Sequence, residues 1–172
     1  MNEIFWPEGY LPGMTDNFVS NEIIIADLPA AQVWKYLHDT SKWESYYSNV
    51  ADIRFHNATG PELSEGAHFR FTTLGFPIEA EVVEYEPPAD GMPARLAWRG
   101  WEEGSEEDDA LHIYHAWLLE DLPGGRVRIL TQETQNGKAA KEMALTKPDP
   151  MLNGHQEWID GLAEAASQQK RF

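Results

Sequence analysis

The chain has 172 residues, 42% of them hydrophobic, and a formal net charge of −16 at pH 7. This length and composition predict one globular domain with a substantial core and argue against a disordered chain. The strong negative charge argues against nucleic acid or an anionic membrane surface as a partner, because both bind basic surfaces.

The absence of cysteine excludes disulfides, a thiol nucleophile and cysteine-ligated zinc. The first residues lack the basic start and the apolar segment of a secretory signal. Apolar runs such as residues 23–26 are far too short to cross a bilayer. We therefore expect a cytoplasmic protein without membrane insertion.

Residues 1–18 are rich in aromatic residues, proline and glycine and show no periodicity. They are interpreted as an extension lying on a single domain that spans residues 19–172. The aromatic residues of the extension are also compatible with a lid or with a homodimer arm.

The domain begins with a predicted strand over residues 18–27, followed by a helix that opens at Pro29 and a short helical turn that carries Trp43. Six alternating segments follow, separated by glycine- and proline-rich turns, at about 50–57, 66–74, 77–87, 94–101, 110–120 and 126–136. Short links between successive strands predict an antiparallel meander.

The last segment predicts a long helix that begins at Pro150, with Asp149 as its cap. Apolar residues and one histidine recur at spacings of three and four: Met151, His155, Trp158, Leu162 and Ala166. Gly154 and Gly161 lie at one edge of this stripe, where they indicate either a close approach or empty volume. The pattern predicts an α+β fold in which a seven-stranded curved antiparallel sheet wraps on this helix.

Strand alternation assigns bulky, mostly apolar side chains to the face that meets the helix. One interpretation is a solid aromatic core; the glycine edge and the polar groups on this face favour an internal ligand cavity. The candidate ligand-binding residues are Trp43, Phe55, Phe69, Phe71, Val82, Trp98, His115, Trp117, Glu133, Met151, His155, Trp158 and Leu162.

Several stretches resemble the SRPBCC/START-like superfamily: LPAAQVW at 28–34, GAHF at 66–69, VEYEPP at 83–88, GGRV at 124–127 and GHQEWIDGL at 154–162. The resemblance implies the helix-grip fold of birch-pollen allergens and a hydrophobic ligand cavity. The superfamily includes polyketide cyclases/dehydrases, lipid-transfer domains, plant hormone receptors and chaperone-ATPase activators. These motifs are structural, so the resemblance implies no catalytic residue.

His115 and Glu133 are the polar pair of the inner face that best fits a catalytic role. The predicted turn between the last two strands places His115 opposite Thr131 and Glu133 one diagonal away. A histidine–carboxylate pair in an apolar cavity is suited to general acid or base catalysis. The alternative is a hydrogen-bonded buried pair that only stabilises the fold.

No metal site and no cofactor are predicted. His112 and His115 fall on opposite faces of one strand and cannot chelate one ion. No two-histidine-one-carboxylate array is recognisable, and a Rieske site is excluded. His155 is interpreted as a histidine packed at the helix start, or as a hydrogen-bonding group for a ligand.

Residues 102–109 hold six acidic side chains in eight positions and predict a solvated loop. The alternative is a cation site or an electrostatic gate. Strand parity places this loop at the same end of the sheet as the lysine-bearing stretch 137–149.

These observations leave three functions open. The first is binding of a small hydrophobic or aromatic molecule in an internal cavity. The second is a cyclase, dehydratase or hydrolase-like enzyme acting on a polyketide-type or aromatic substrate. The third is a protein-interaction domain of the chaperone-activator type.

Overall fold

The computed structural model describes residues 1–104 and 109–168. A seven-stranded antiparallel sheet, in the order β1-β7-β6-β5-β4-β3-β2, carries short helices after its first strand and a long helix at its end. The prediction of an α+β helix-grip fold is confirmed. The elements are β1 (Asn17–Ala26), α1 (Ala30–Leu37), α2 (Trp43–Tyr46), β2 (Val50–Phe55), β3 (His68–Thr73), β4 (Phe76–Glu86), β5 (Ala94–Glu102), β6 (His112–Leu122), β7 (Arg126–Asn136), α3 (Lys138–Leu145) and α4 (Pro150–Gln168).

Helix α4 begins where the sequence predicts. Pro150 is its first residue, and the carboxylate of Asp149 accepts a hydrogen bond from the backbone N–H of Met151 at 2.9 Å. This bond satisfies one of the N–H groups that every helix start leaves unpaired. The apolar stripe of α4 is buried against the sheet, so its predicted inward face is confirmed.

The core between α4 and the sheet is dominated by indole rings. Trp43, Trp98, Trp117 and Trp158 are each at most 1% exposed. The ring of Trp158 contacts the other three at centroid distances of 5.1–6.2 Å. Such large interdigitating rings fill the space between sheet and helix at high density.

The two glycines of α4 mark close packing. A Cβ atom at Gly161 would overlap the main-chain oxygen of Tyr46, and one at Gly154 would lie 3.3 Å from the side chain of Leu74 and 3.4 Å from the hydroxyl of Tyr47. The glycines of this edge therefore allow a close approach of neighbouring atoms, which is one of the two interpretations that the sequence left open. The glycines give no support to an empty cavity.

Residues 1–16 lie on the face of the sheet opposite to α4. Ile4 is buried in a second apolar cluster with side chains of β5, β6 and β7, namely Ala97, Tyr114, Ala116, Leu118 and Leu130. The buried guanidinium of Arg95 donates to the carbonyl of Glu3 at 2.9 Å. The predicted boundary at residue 18 falls inside β1, which begins at Asn17.

The pairing of β6 with β7 differs from the prediction. The hairpin closes through the three residues 123–125, whose two glycines both have positive φ. His115 therefore opposes Glu133 directly, whereas the sequence analysis placed it opposite Thr131. Moving the centre of a turn by one residue shifts every pair by two, which accounts for the error.

Two further features complete the architecture. Helix α3 lies in the stretch 137–149, for which the sequence analysis predicted no element. Among the described residues, no helix is both long and apolar enough to cross a lipid bilayer.

Candidate functional site

An internal pocket lies between the inner face of the sheet and the first half of α4. Its walls come from β3, β4, β6, β7, α4 and the segment before β6. The lining side chains are Phe71, Thr73, Phe76, Ile78, Leu111, Ile113, His115, Glu133, Met151, His155 and Trp158. The walls are mostly apolar, with three buried polar groups on one side.

The free volume of this pocket is about 10 Å³, which is about the space of one water molecule. The pocket is therefore too small to hold an organic ligand as it stands, and the aromatic-core interpretation describes most of the interior. The physical reason is that the indole rings of Trp98, Trp117 and Trp158 meet in the middle of the space. A ligand larger than water requires side chains of the pocket to move.

The three polar groups come from separate elements. His115 lies in β6, Glu133 lies in β7, and His155 lies in α4; each is at most 3% exposed. The rings of the two histidines stack at a centroid distance of 4.4 Å with an interplanar angle of 11°. Nδ1 of His115 lies 3.4 Å from Oε1 of Glu133. The strand pairing and the inward face of α4 together produce this cluster.

The hydrogen bonds of Thr131 favour one tautomer of His115. The Thr131 hydroxyl donates to the carbonyl of Ala116 at 3.2 Å and lies 2.7 Å from Nε2 of His115. A hydroxyl has one hydrogen to donate, so it accepts from an Nε2–H of the imidazole. Nδ1 then carries the lone pair and faces Glu133, whose other carboxyl oxygen accepts a hydrogen bond from the amide of Gln135.

Burial shifts the pKa values of the three groups in opposite directions. Desolvation raises the pKa of Glu133 from 4.5 to about 8, and the negative charge of Asp149 adds to this rise. Desolvation lowers the pKa of His155 to about 3. The pKa of His115 falls well below 6.5, through burial first and the neighbouring His155 second. At pH 7 both imidazoles are neutral and the Glu133 carboxyl is mostly protonated.

This charge state agrees with the tautomer. A protonated Glu133 has an O–H to offer to the Nδ1 lone pair of His115. Nδ1 of His155 has no hydrogen-bond partner among the described residues. The cluster thus offers an imidazole acceptor beside a carboxyl donor, together with one unpaired ring nitrogen, inside an apolar pocket.

One potential metal-ligand atom from each of His115, Glu133 and His155 lies within 4.8 Å of the other two. This two-histidine-one-carboxylate grouping went unrecognised in the sequence because its members come from three distant segments. The stacked, nearly parallel rings keep their in-plane lone pairs from converging on one point, so the arrangement favours hydrogen bonding over chelation of an ion.

Six of the predicted ligand-binding residues line the pocket: Phe71, His115, Glu133, Met151, His155 and Trp158. Six others belong to the surrounding buried core: Trp43, Phe69, Val82, Trp98, Trp117 and Leu162. Phe55 lies at the edge of the core, where its half-buried ring stacks on Phe69 and occupies the space beside Gly60.

Five further lining residues were not among those predicted from the sequence. Ile78, Leu111 and Ile113 follow the same strand alternation as the predicted residues, so that signal was available. Thr73 and Phe76 flank the β3–β4 turn, where alternation ends and gives no direction. Both are half-buried, which places them at the rim where the pocket approaches solvent.

The acidic segment 102–109 and the stretch 137–149 meet at one end of the sheet. Nζ of Lys141 lies 3.9 Å from a carboxylate oxygen of Asp109. The expected proximity of the two segments is confirmed for these described residues. Residues 105–108 lie outside the part of the chain that the structure describes, so the cation-site and gate hypotheses stay predictions.

Residues 18–158 match the family described as polyketide cyclase / dehydrase and lipid transport. The chain belongs to this family. No curated protein matches it in sequence. The family suggests a ligand-binding or cyclase-like role, and its match covers the sheet and the first half of α4, which together form the pocket.

Solved structures share the fold. The hypothetical protein jhp0584 from Helicobacter pylori is 48% identical, with a TM-score of 0.91, and the match covers 96% of this chain and 97% of that one. Protein MLL2253 from Mesorhizobium loti is 14% identical, with a TM-score of 0.64 and coverage of 91% and 100%. Norcoclaurine synthase from Thalictrum flavum, solved with a transition-state analogue, is 9% identical, with a TM-score of 0.63 and coverage of 90% and 96%.

Proposed function

We propose that this protein binds a small, uncharged, mostly apolar molecule in the internal pocket. The observation that carries the proposal is the unpaired Nδ1 of His155, a buried residue that lines the same pocket as His115 and Glu133. A buried polar atom without a partner costs about 1–3 kcal/mol. A ligand that forms a hydrogen bond with this nitrogen would recover that free energy.

The charge state of the cluster favours a neutral ligand. Two neutral imidazoles and a protonated carboxyl give the pocket no formal charge at pH 7. A charged ligand would lose its hydration without gaining an opposite charge, which is costly in an apolar site. A molecule with one hydroxyl or carbonyl group on a hydrophobic or aromatic skeleton fits these constraints.

The size of the pocket requires an opening step. Thr73 and Phe76 form a half-buried rim beside the β3–β4 turn, and the Leu74 side chain in that turn packs against Gly154 of α4. Displacing these rim side chains would enlarge the pocket without breaking the aromatic core behind it. Ligand binding should therefore rearrange this turn and the first turns of α4.

The opposite pKa shifts favour a second candidate, a cyclase or dehydratase-like enzyme. His115 presents an unprotonated nitrogen at pH 7, and the Glu133 carboxyl beside it retains its proton. A general base and a general acid in these states are what cyclisation or loss of water requires. The family and the norcoclaurine synthase fold are compatible with this role.

Native mass spectrometry of the protein as purified from cells, before and after organic extraction, tests the binding proposal. We expect an organic mass that extraction removes. His155→Phe keeps the ring stacked on His115 but removes Nδ1, so retention should fall. His112→Phe, a change of an exposed histidine outside the pocket, should retain the wild-type load.

A thermal-shift screen of neutral aromatic alcohols and ketones covers the case of a weak ligand. Saturation at a hundred times the dissociation constant adds about 2.7 kcal/mol of stability. The binding proposal is refuted if the purified protein retains no organic mass and no compound in the screen gives a thermal shift that His155→Phe abolishes. Turnover that survives His115→Ala and Glu133→Gln would refute the enzymatic candidate.

A further inference from the structure

A second histidine–glutamate cluster lies on the face of the sheet opposite to the internal pocket. His56 follows the end of β2, His68 is the first residue of β3, and Glu79 lies in β4. These elements are neighbours in the sheet, so the three side chains are held on adjacent strands. One potential metal-ligand atom from each residue lies within 4.8 Å of the other two.

Both imidazoles approach the same carboxylate oxygen. Nε2 of His56 lies 2.8 Å from Oε2 of Glu79, and Nε2 of His68 lies 3.0 Å from that atom. Three ligand atoms bound to one tetrahedral Zn²⁺ at about 2.1 Å would lie about 3.4 Å apart. The two nitrogen–oxygen separations are shorter than this by about 0.4–0.6 Å, and all three ligand atoms lie within 4.8 Å of one another.

The rings of the two histidines are not parallel. Nε2 of His68 has no hydrogen-bond partner among the described residues, although Glu79 is only 3.0 Å away, so this nitrogen does not point at the carboxylate oxygen. The rings of His56 and His68 are tilted by 46° at a centroid distance of 4.3 Å. Tilted rings can direct their lone pairs to a common point, unlike the parallel rings of His115 and His155.

The two histidine side chains are partly exposed, although Nε2 of His68 is itself buried. The side chains of His56 and His68 are 41% exposed and that of Glu79 is 14% exposed. Arg70, opposite Glu79 in the neighbouring strand, directs its positive charge to Glu103 at 2.7 Å. Glu79 thereby remains available to the two histidines as a negatively charged ligand.

We propose that His56, His68 and Glu79 bind a divalent transition-metal ion of the Zn²⁺ type, with solvent completing the coordination. Imidazole and carboxylate are ordinary ligands of Zn²⁺, and three protein ligands with one open position are typical of reactive zinc sites. No local spacing motif joins these residues, which explains why the sequence predicted no metal site. The proposal does not rest on the function proposed for the internal pocket.

Isothermal titration of the full, untagged chain with Zn²⁺ tests this site, with native mass spectrometry giving the stoichiometry. We expect one Zn²⁺ per chain and little response to Mg²⁺, which prefers all-oxygen ligands. His68→Ala and the isosteric Glu79→Gln should each weaken binding by more than the roughly 10- to 100-fold that loss of an outer hydrogen-bonding partner costs.

Two variants serve as controls. His112→Ala removes an exposed histidine of β6 outside the cluster, and Glu133→Gln alters the buried cluster on the other face. Both should bind Zn²⁺ as the wild type does, and circular dichroism establishes that every variant is folded. The proposal is overturned if the wild type takes up no Zn²⁺, if His68→Ala binds normally, or if only Glu133→Gln abolishes binding.

Discussion

The proton on Glu133 should make the stability of this protein depend strongly on pH. The carboxyl is 2% exposed, and burial raises its pKa from 4.5 to about 8. The unfolded chain releases this proton near pH 4.5, whereas the folded protein holds it until about pH 8. The resulting contribution to stability is fully present below pH 4.5 and is lost as the pH rises through 8.

Glu133→Gln isolates this contribution, because glutamine has the same shape and does not ionise. Each unit of pKa difference corresponds to about 1.4 kcal/mol. The interval from 4.5 to about 8 gives a loss on the order of 5 kcal/mol for the wild type, of which about 3 kcal/mol is reached by pH 7. The variant escapes this loss, so its stability relative to the wild type should increase over the interval.

Urea unfolding of both proteins from pH 5 to pH 9 measures the effect. The difference in unfolding free energy should change by about 1.4 kcal/mol per pH unit in favour of the variant and should level off above pH 8. Other titrating groups are common to both proteins and cancel in the difference to first order. Glu81→Gln, a change of an exposed glutamate in β4, serves as the matched control for removing a carboxyl group from the surface.

A flat difference between wild type and Glu133→Gln would refute the reasoning. It would mean that the carboxyl is ionised in the folded protein, as it would be beside a protonated His115. The pocket would then carry charges, and its proposed preference for a neutral ligand would lose its basis. The size of the difference in unfolding free energy at any single pH does not test the reasoning. Only the change of this difference with pH reports the ionisation of Glu133.

Three further predictions concern packing and charge. Gly161→Ala should destabilise the protein by about 1–3 kcal/mol, because the new Cβ atom would overlap a main-chain oxygen. Gly154→Ala should cost less, because its Cβ atom would meet only side-chain atoms. Urea unfolding measures both variants. Ile4→Ala should cost about 2 kcal/mol. Met14→Ala, at a side chain that is 78% exposed, should cost less than about 0.5 kcal/mol in the same assay. Imidazole ¹⁵N chemical shifts should show His155 neutral down to about pH 4, because burial lowers its pKa to about 3; protonation near pH 6 would contradict this.

Strand alternation predicted which side chains face α4, because the side-chain period of a strand is two whatever the tertiary structure. Phe69, Phe71 and Trp98 are buried as this rule requires. The rule assigns a direction and says nothing about how far a ring reaches. Whether the rings leave a cavity or fill it depends on the curvature of the sheet and on the distance of α4, and these follow from packing that the sequence pattern does not contain.

The sequence predicted which residues belong to the candidate site better than it predicted how those residues are arranged. Alternation placed His115 and Glu133 on the inner face, and helical periodicity turned His155 inward. Their contact depends on the three-residue turn 123–125, whose centre the sequence leaves ambiguous by one residue. Helix α3 was missed because it is short and, with glycine at its N-cap, lacks a capping side chain.

The two histidine–glutamate clusters illustrate how environment separates the chemistry of identical residue types. In the internal pocket, burial removes charge from all three groups, and the parallel histidine rings disperse their lone pairs, which suits hydrogen bonding to a neutral ligand or proton transfer. On the outer face, His68 and Glu79 remain in contact with solvent, and the histidine rings are tilted towards each other, which suits an ion that brings its own charge. A Zn²⁺ titration sensitive to Glu79→Gln and a stability profile sensitive to Glu133→Gln would therefore show that Glu79 binds a metal ion while Glu133 is held protonated.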